Sequence, residues 1–410
     1  MDEGYLSQYF DKIAVKRLSR VEVDMQKSNQ HEFNGSKALR AVLGKERLQD
    51  RSVRFVRFGE NGEENVFSEE GFITWYDARE KHPTRSEYRL YFRGNPVMEM
   101  ANTGDLLIVT KRPNNEIDLI LVEANSTYEN QLIWLFGLSR QIDFEQFTYQ
   151  KIEGAQDQAV NFAGRFILDE LGIQIIEPES DLLDELLEPF TKLGFPTTKV
   201  FSQLARKAAD REGTVSNPDD LIIHWMNYEE KLFRRLEKHI VEAELEKMQS
   251  QKVDVDSFIK FSLSVHNRRK SRAGHALENH LQVLFQNHDL LFSYNKITEH
   301  KSKPDFLFPG IEQYHDAAFE ASHLTMLGVK TTCKDRWRQV LSEARRIESK
   351  HLFTLEPAIS VQQTNEMKAN HLQLVLPKSL HETYSPDQRT ELLNLNELIE
   401  VVKERQEFIV

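Results

Sequence analysis

Lys303-Pro-Asp305 leads into an apolar run, Phe306-Leu-Phe, and Lys330 ends another, Leu324-Thr-Met-Leu-Gly-Val329. An aspartate opening one strand and a lysine ending a later one form the skeleton of a metal-dependent nuclease site. Carboxylate oxygens suit a hard cation such as Mg²⁺. An ammonium beside the attacking water favours its deprotonation and stabilises the charge that builds on the phosphate oxygens. The usual pattern has an acid two residues before the lysine; here that residue is Gly328, which can ligate nothing. The missing carboxylate must come from elsewhere. Glu343, on a helix read over Arg336 to Ile347, is one candidate; Glu278, on a helix read over Ala276 to Phe292, is another. A Pro-Asp and a distant Lys alone say little, because Pro-Asp also opens ordinary turns.

Upstream stand Arg268, Arg269, Lys270 and Arg272, followed by Ala273-Gly274. The run reads either as a solvated basic loop or as a phosphate-contacting segment, since guanidinium groups match phosphate geometry and a glycine lets backbone approach closely.

The segment Lys330-Thr-Thr-Cys-Lys-Asp-Arg-Trp-Arg-Gln-Val-Leu-Ser-Glu343 closely resembles the catalytic and recognition segment of the EcoRII family of restriction endonucleases. The resemblance extends over Asn267 to Gly274, Lys303 to Pro309, Tyr314-His-Asp316 and His351 to Leu355, and covers most of the chain from Phe195 onward. It implies a type II endonuclease fold of the PD-(D/E)XK class with a migrated glutamate. Asp305, Lys330 and Glu343 would be the catalytic core, with Glu278 assisting at a Mg²⁺ ion. It assigns Lys334, Asp335 and Arg336 to base reading, in a family that cuts sites with CC and GG flanking a central pair, such as CCWGG. The chemistry agrees: Lys or Arg can hydrogen-bond guanine, and Asp can accept from cytosine. The plain alternative is a solvated charge set at a helix start. Cys333 reads as a small buried residue. Where the family holds a flipped base between an Arg and an aromatic, this chain has Met226 and Glu230. Trp225 and Tyr228 lie close by, as stacking partners or as core aromatics.

The elements that must position these groups come from the chain as a whole. Its 410 residues suggest two or three domains at roughly 150 each. Hydrophobic residues at 40% support real cores, and one cysteine excludes a disulfide scaffold or Cys-rich zinc site. A net charge of −12 argues weakly against nucleic acid, although local patches decide binding. No run approaches the ~20 apolar residues of a membrane span. Met1 to Phe10 lacks the regions of a secretory leader, so a cytoplasmic protein without membrane partners is expected. The first third reads as β. Ser52 to Phe58 and Tyr88 to Arg93 alternate, and Asp105 to Thr110 with Ile117 to Val122 form a hairpin. A helix follows near Ser126 to Leu138, with Thr127 as its cap. Glu177 to Pro189 is an acidic linker carrying a short helix. Beyond it strands alternate with helices, as in an α/β domain.

More weakly, the N-terminal part resembles the effector-DNA domain of the same family, through Lys16 to Ser19, Thr84 to Glu87, Arg89, Arg93-Gly94 and Asn102 to Gly104. That domain is a β pseudobarrel similar to the plant B-three fold, gripping DNA with two arms. Arg85, Glu87 and Arg89, on one face of a strand, would form one arm; Lys16, Arg17 and His31 would belong to the other. The plain reading of the first set is a cross-strand ion-pair ladder. The expected architecture is thus an α+β and α/β protein: an effector DNA-binding pseudobarrel over 1–172, an acidic linker over 173–194 and a catalytic endonuclease domain over 195–410. The expected activity is Mg²⁺-dependent, site-specific cleavage of double-stranded DNA by a homodimer joined through the C-terminal domain. A companion DNA methyltransferase in the host is implied. The rivals are a non-catalytic DNA-binding regulator and a nuclease that senses modified DNA.

Overall fold

The computed structural model describes residues 5–23, 31–60, 65–138, 142, 146–153, 160–173, 175, 181–213, 215–250, 254–333 and 336–407. The chain divides into two compact units, Met1–Ile176 with Pro357–Gln363, and Glu177–Glu356 with Thr364–Val410. Among the described residues no helix is long and apolar enough to cross a membrane.

The first unit is built on eight strands: β1 Lys12–Arg17, β2 Glu32–Gly35, β3 Leu48–Phe58, β4 Val66–Asp77, β5 Tyr88–Phe92, β6 Leu106–Lys111, β7 Ile117–Val122 and β8 Thr148–Lys151. They form one sheet in the order β2-β5-β4-β3-β7-β6-β1-β8. The β6–β7 hairpin is antiparallel as expected, and β3 runs parallel to β7. Successive side chains of a strand point to opposite faces. Along β6, Leu106 and Ile108 join one apolar cluster with Val56, Phe58, Leu132 and Ile167, whereas Leu107 and Val109 join another with Phe55, Leu119, Leu39 and Val42. Both faces are therefore covered, by the helices Thr127–Leu135 and Phe162–Glu170 on one side and Lys37–Leu43 on the other. That is why β6 and β7 read as apolar runs and not as alternating ones.

Arg51 of β3 is exposed, but Arg54 and Arg57 are withdrawn from solvent. Arg54 lies opposite Asp118 in the parallel register and pairs with it at 2.8 Å. The helix after β7 is capped by Ser126, whose side chain accepts from the Glu129 N–H, so Thr127 is its first residue and not its cap. The chain enters β5 only at Tyr88, so Arg85 and Glu87 precede the strand and only Arg89 lies on it.

In the second unit four helices come first: Asp181–Leu193, Thr198–Glu212, Pro218–Ser250 and Val255–Asn287. The acidic stretch thus forms a packed helix, with Leu183 and Leu187 buried, and Asp184 ion-paired with Arg235. Residues 176–180 of that stretch lie outside the described residues. The helix expected from Ala276 begins 21 residues earlier, at Val255, where Asp254 caps it. No breaker interrupts the basic run, Lys and Arg are good helix formers, and Gly274 meets no steric demand. Arg268 to Arg272 is consequently helix, not loop.

A five-stranded sheet follows: β9 Ser293–Tyr294, β10 Phe306–Phe308, β11 Thr325–Lys330, β12 Lys350–Thr354 and β13 Leu372–Val375, in the order β13-β12-β11-β10-β9. β11, β12 and β13 are parallel, while β9, β10 and β11 are antiparallel. The unit is mixed α/β.

Phe55 is fully buried in the cluster that β3 shares with β6 and β7. Phe55→Ala should cost about 3–5 kcal/mol in denaturant unfolding of the first unit, the usual loss for emptying an aromatic site.

Candidate active site

The β10–β11 ladder pairs Phe306 with Leu327, which places Asp305, just before β10, abreast of Gly328. Asp305 is 9% exposed. Its Oδ2 accepts the Val329 N–H at 2.6 Å and the Lys330 ammonium at 3.2 Å. The Lys330 Nζ also donates to the Val329 carbonyl at 3.0 Å. The register of two adjacent strands therefore brings together an acid and a lysine that stand far apart in the chain.

Two further carboxylates lie within the field of this pair. The helix Trp337–Leu341 is shorter than expected, and Glu343 lies past its end. The chain turns there because Ala344 takes a left-handed conformation (φ 47°) while Ala344 and Ile347 go into the core. Glu343 is pushed up to about 7 by burial first and then by the charge of Asp305, against the pull of Lys330 and Lys350. Its Oε2 is buried without a hydrogen-bond partner. Glu278, on the helix Val255–Asn287, is raised by burial; the Tyr294 hydroxyl lowers it and Asp305 raises it. Both of the alternatives for the second carboxylate thus feel the charges of Asp305 and Lys330.

Among the described residues no three His, Cys, Asp or Glu side chains are gathered as a ready metal cage. The chemistry of the donor set nevertheless fits a hard divalent cation: only carboxylate oxygens are offered, one of them orphaned.

Packing explains the glycine. A Cβ built on Gly328 would lie 2.8 and 2.9 Å from the two methyls of Val340, which is itself fully buried. The space an acid would need there is filled from the helix Trp337–Leu341.

Lys334 and Asp335 lie outside the described residues. Arg336 is exposed, and its guanidinium rests on the Thr332 carbonyl and hydroxyl at 3.1 and 2.9 Å. Cys333 is buried, as expected, with its thiol pushed up by burial and by Glu356, which leaves no thiolate to act as nucleophile.

In the basic run Arg268 is exposed and stacks on Phe195 at 4.2 Å, and Arg269 grips Glu237 at 2.8 and 2.9 Å. The Lys270 side chain is outside the described residues. Arg272 is 6% exposed, pairs with Glu229 and Glu230, and covers the Phe233 ring. Its charge is engaged inside the helices, in contrast to the surface role expected of it. Trp225, Met226 and Tyr228 are buried. Glu230 bridges Arg234 and Arg272.

In the first unit, Lys16 is 2% exposed and bonds Glu22 at 2.7 Å; Arg17 bonds the Gly104 carbonyl at 2.9 Å and pairs with Glu129. His31 meets the Phe92 ring edge-on. Glu87 is held between Arg79 and Arg89, and Arg89 also reaches Glu32 at 3.2 Å. Of the expected two arms, Arg85 is fully at the surface. Lys16 and Arg17 are held by internal partners because β1 is an inner strand of the sheet.

Tyr294 was not apparent as a site residue, since a tyrosine in a two-residue strand carries no motif. Its hydroxyl donates to Glu278 Oε2 at 2.5 Å.

Two outcomes follow from this geometry. Gly328→Ala should destabilise by about 1–3 kcal/mol through overpacking, and Val340→Ala should restore it; thermal unfolding of the single and double variants reads this. For Glu343 the folded carboxyl titrates near 7, above its ordinary 4.5. The protonated form is the one the fold favours, so its stabilising contribution is present below pH 4.5 and is lost as pH rises through about 7. Glu343→Gln should therefore gain about 1–3 kcal/mol over the wild type at pH 8 in chelator, and little at pH 5, in denaturant titrations.

A family model described as EcoRII C terminal matches residues 233–399. The type II restriction enzyme EcoRII of Escherichia coli is 52% identical to the chain over 146 residues, 35% of this chain and 36% of that one. The match thus spans about a third of the length of that curated relative. Among solved structures, metal-depleted Ecl18kI in complex with uncleaved DNA is 20% identical with a TM-score of 0.43, covering 55% of this chain and 84% of its own. The restriction endonuclease PspGI with substrate DNA is 14% identical with a TM-score of 0.43, covering 57% and 100%. The residues matched by that family model, 233–399, hold Asp305, Lys330, Glu343 and Glu278, and over them the chain is similar to the EcoRII C-terminal family.

Proposed function

We propose that the protein is a type II restriction endonuclease that hydrolyses double-stranded DNA with Mg²⁺ at a short G·C-rich palindrome of the CCWGG kind. The observation that carries this reading is that the matched segment contains every group the second unit brings around Asp305. The catalytic domain in this reading spans 195–410, after an effector domain over 1–172 and a linker over 173–194.

Asp305, Glu343 and Glu278 would hold the cation, which supplies charge neutralisation at the scissile phosphate. Lys330 orients the attacking water. Its ammonium has three donors; Asp305 and the Val329 carbonyl take two, and the third is left for the water or a phosphate oxygen. Asp305 fixes the ammonium in place, and the Val329 N–H orients the Asp305 carboxylate. Lys334, Asp335 and Arg336 would read bases. Arg268, Arg269 and Lys270 would touch backbone phosphates, with Arg272 bracing their helix.

The first unit would bind a second copy of the site as a B-three-like pseudobarrel, through Arg85, Glu87 and Arg89 on one arm and His31 on the other, with Lys16 and Arg17 engaged inside the fold. Cutting both strands of a palindrome takes two active sites, which calls for a homodimer. The proposed setting is the cytoplasm, with a methyltransferase protecting host DNA.

Digestion of plasmid and phage DNA with Mg²⁺, followed by sequencing of the ends, tests this. Discrete ends at one palindrome are expected, and Lys330→Ala should lose about 100-fold or more in cleavage while still shifting DNA in a gel. DNA left intact even with short duplexes added in trans would favour a binding regulator. Cleavage confined to methylated duplexes would favour a nuclease for modified DNA.

A further inference from the structure

We infer that the Tyr294 hydroxyl is a positioning group for Glu278, holding one carboxylate oxygen so that the other is presented to a divalent cation beside Asp305. The inference rests on the reading above and names a residue that the acid–lysine pattern does not contain.

The position of Tyr294 is set by the sheet. β9 pairs with β10, with Tyr294 opposite Phe306, the residue after Asp305. The next residue, Asn295, donates its N–H to the Asp305 carbonyl at 3.1 Å. The Tyr294 ring lies against the Phe306 ring at 5.5 Å. The strand that carries Asp305 therefore also aims the phenol, and the phenol reaches across to the long helix to bond Glu278 Oε2 at 2.5 Å.

The chemistry of the donor matters. Glu278 lies in the field of Asp305, and burial disfavours its charged form. A lysine or arginine in place of Tyr294 would hold Glu278 anionic but would repel an incoming cation. A phenol donates one hydrogen bond and brings no charge, so the site keeps its full negative charge for the cation. Groups that orient a metal-holding side chain in this way typically contribute 10–100-fold in metal affinity.

The test uses the full chain and Mn²⁺ alone, with free ion counted by electron paramagnetic resonance. Tyr294→Phe keeps the ring and removes only the hydroxyl. It should weaken Mn²⁺ binding about 10-fold or more and raise by a similar factor the Mg²⁺ concentration needed for half-maximal cleavage. In a Glu278→Ala background the same substitution should change Mn²⁺ affinity by less than about 2-fold, as expected when its effect runs through Glu278. A Tyr294→Phe protein that cuts DNA and binds Mn²⁺ as the wild type does overturns the inference alone. So does an equal loss with and without Glu278. A wild type that neither binds Mn²⁺ nor cuts DNA overturns the endonuclease reading itself. Should Tyr294→Phe fail to fold, Glu278→Ala still decides: unchanged Mn²⁺ binding there overturns the inference equally.

Discussion

The hydrogen bond from the Val329 N–H to Asp305 Oδ2 is the constraint on which the rest of the site depends. A nearly buried carboxylate is costly unless it is paired and hydrogen-bonded. Here one backbone donor and one ammonium meet that demand, and both come from the adjacent strand, so the β10–β11 register and the charge arrangement are one and the same feature. Moving β11 by one residue would turn Lys330 to the other face. The raised carboxyls of Glu343 and Glu278 follow from the same arrangement, since each is half-buried and each feels Asp305.

Packing then decides where the remaining acid can sit. Val340 occupies the space beside Gly328, so no side chain can grow from the strand position two before the lysine. The carboxylate arrives instead from Glu343, beyond the turn at Ala344. A charge acts through its place in space, and any element that reaches the same point can supply it.

Glu278 depends on a different support. Its helix is fixed on the neighbouring helices by a buried polar cluster: His280 and Glu229 are both fully buried and lie 3.0 Å apart, and Arg206 meets the other ring nitrogen of His280 at 3.0 Å. Burial holds His280 towards its neutral form. Arg272 closes the cluster on Glu229 and Glu230. A long helix anchored in this way can carry one carboxylate to a fixed point, which is what a helix standing free in solvent could not do.

Four of the eight strands of the first unit were legible in the residues because the signal is local. Period two marks β3 and β5, and the apolar runs of β6 and β7 mark strands covered on both faces. Asp305 and Lys330 were legible for the same reason, as polar residues at the ends of apolar runs. Other properties depend on neighbours that the linear order does not display. Glu343 left its expected helix because Ala344 and Ile347 found burial elsewhere. Arg272, from the basic run, and Lys16 and Arg17, from the expected arm, hold acids inside the fold. Tyr294 acquires a partner only when β9 lies beside β10 and the long helix passes over both. Periodicity along a chain reports which face a side chain takes, whereas its ionic partner, its protonation and its reach are set by atoms that folding brings from distant parts of the sequence.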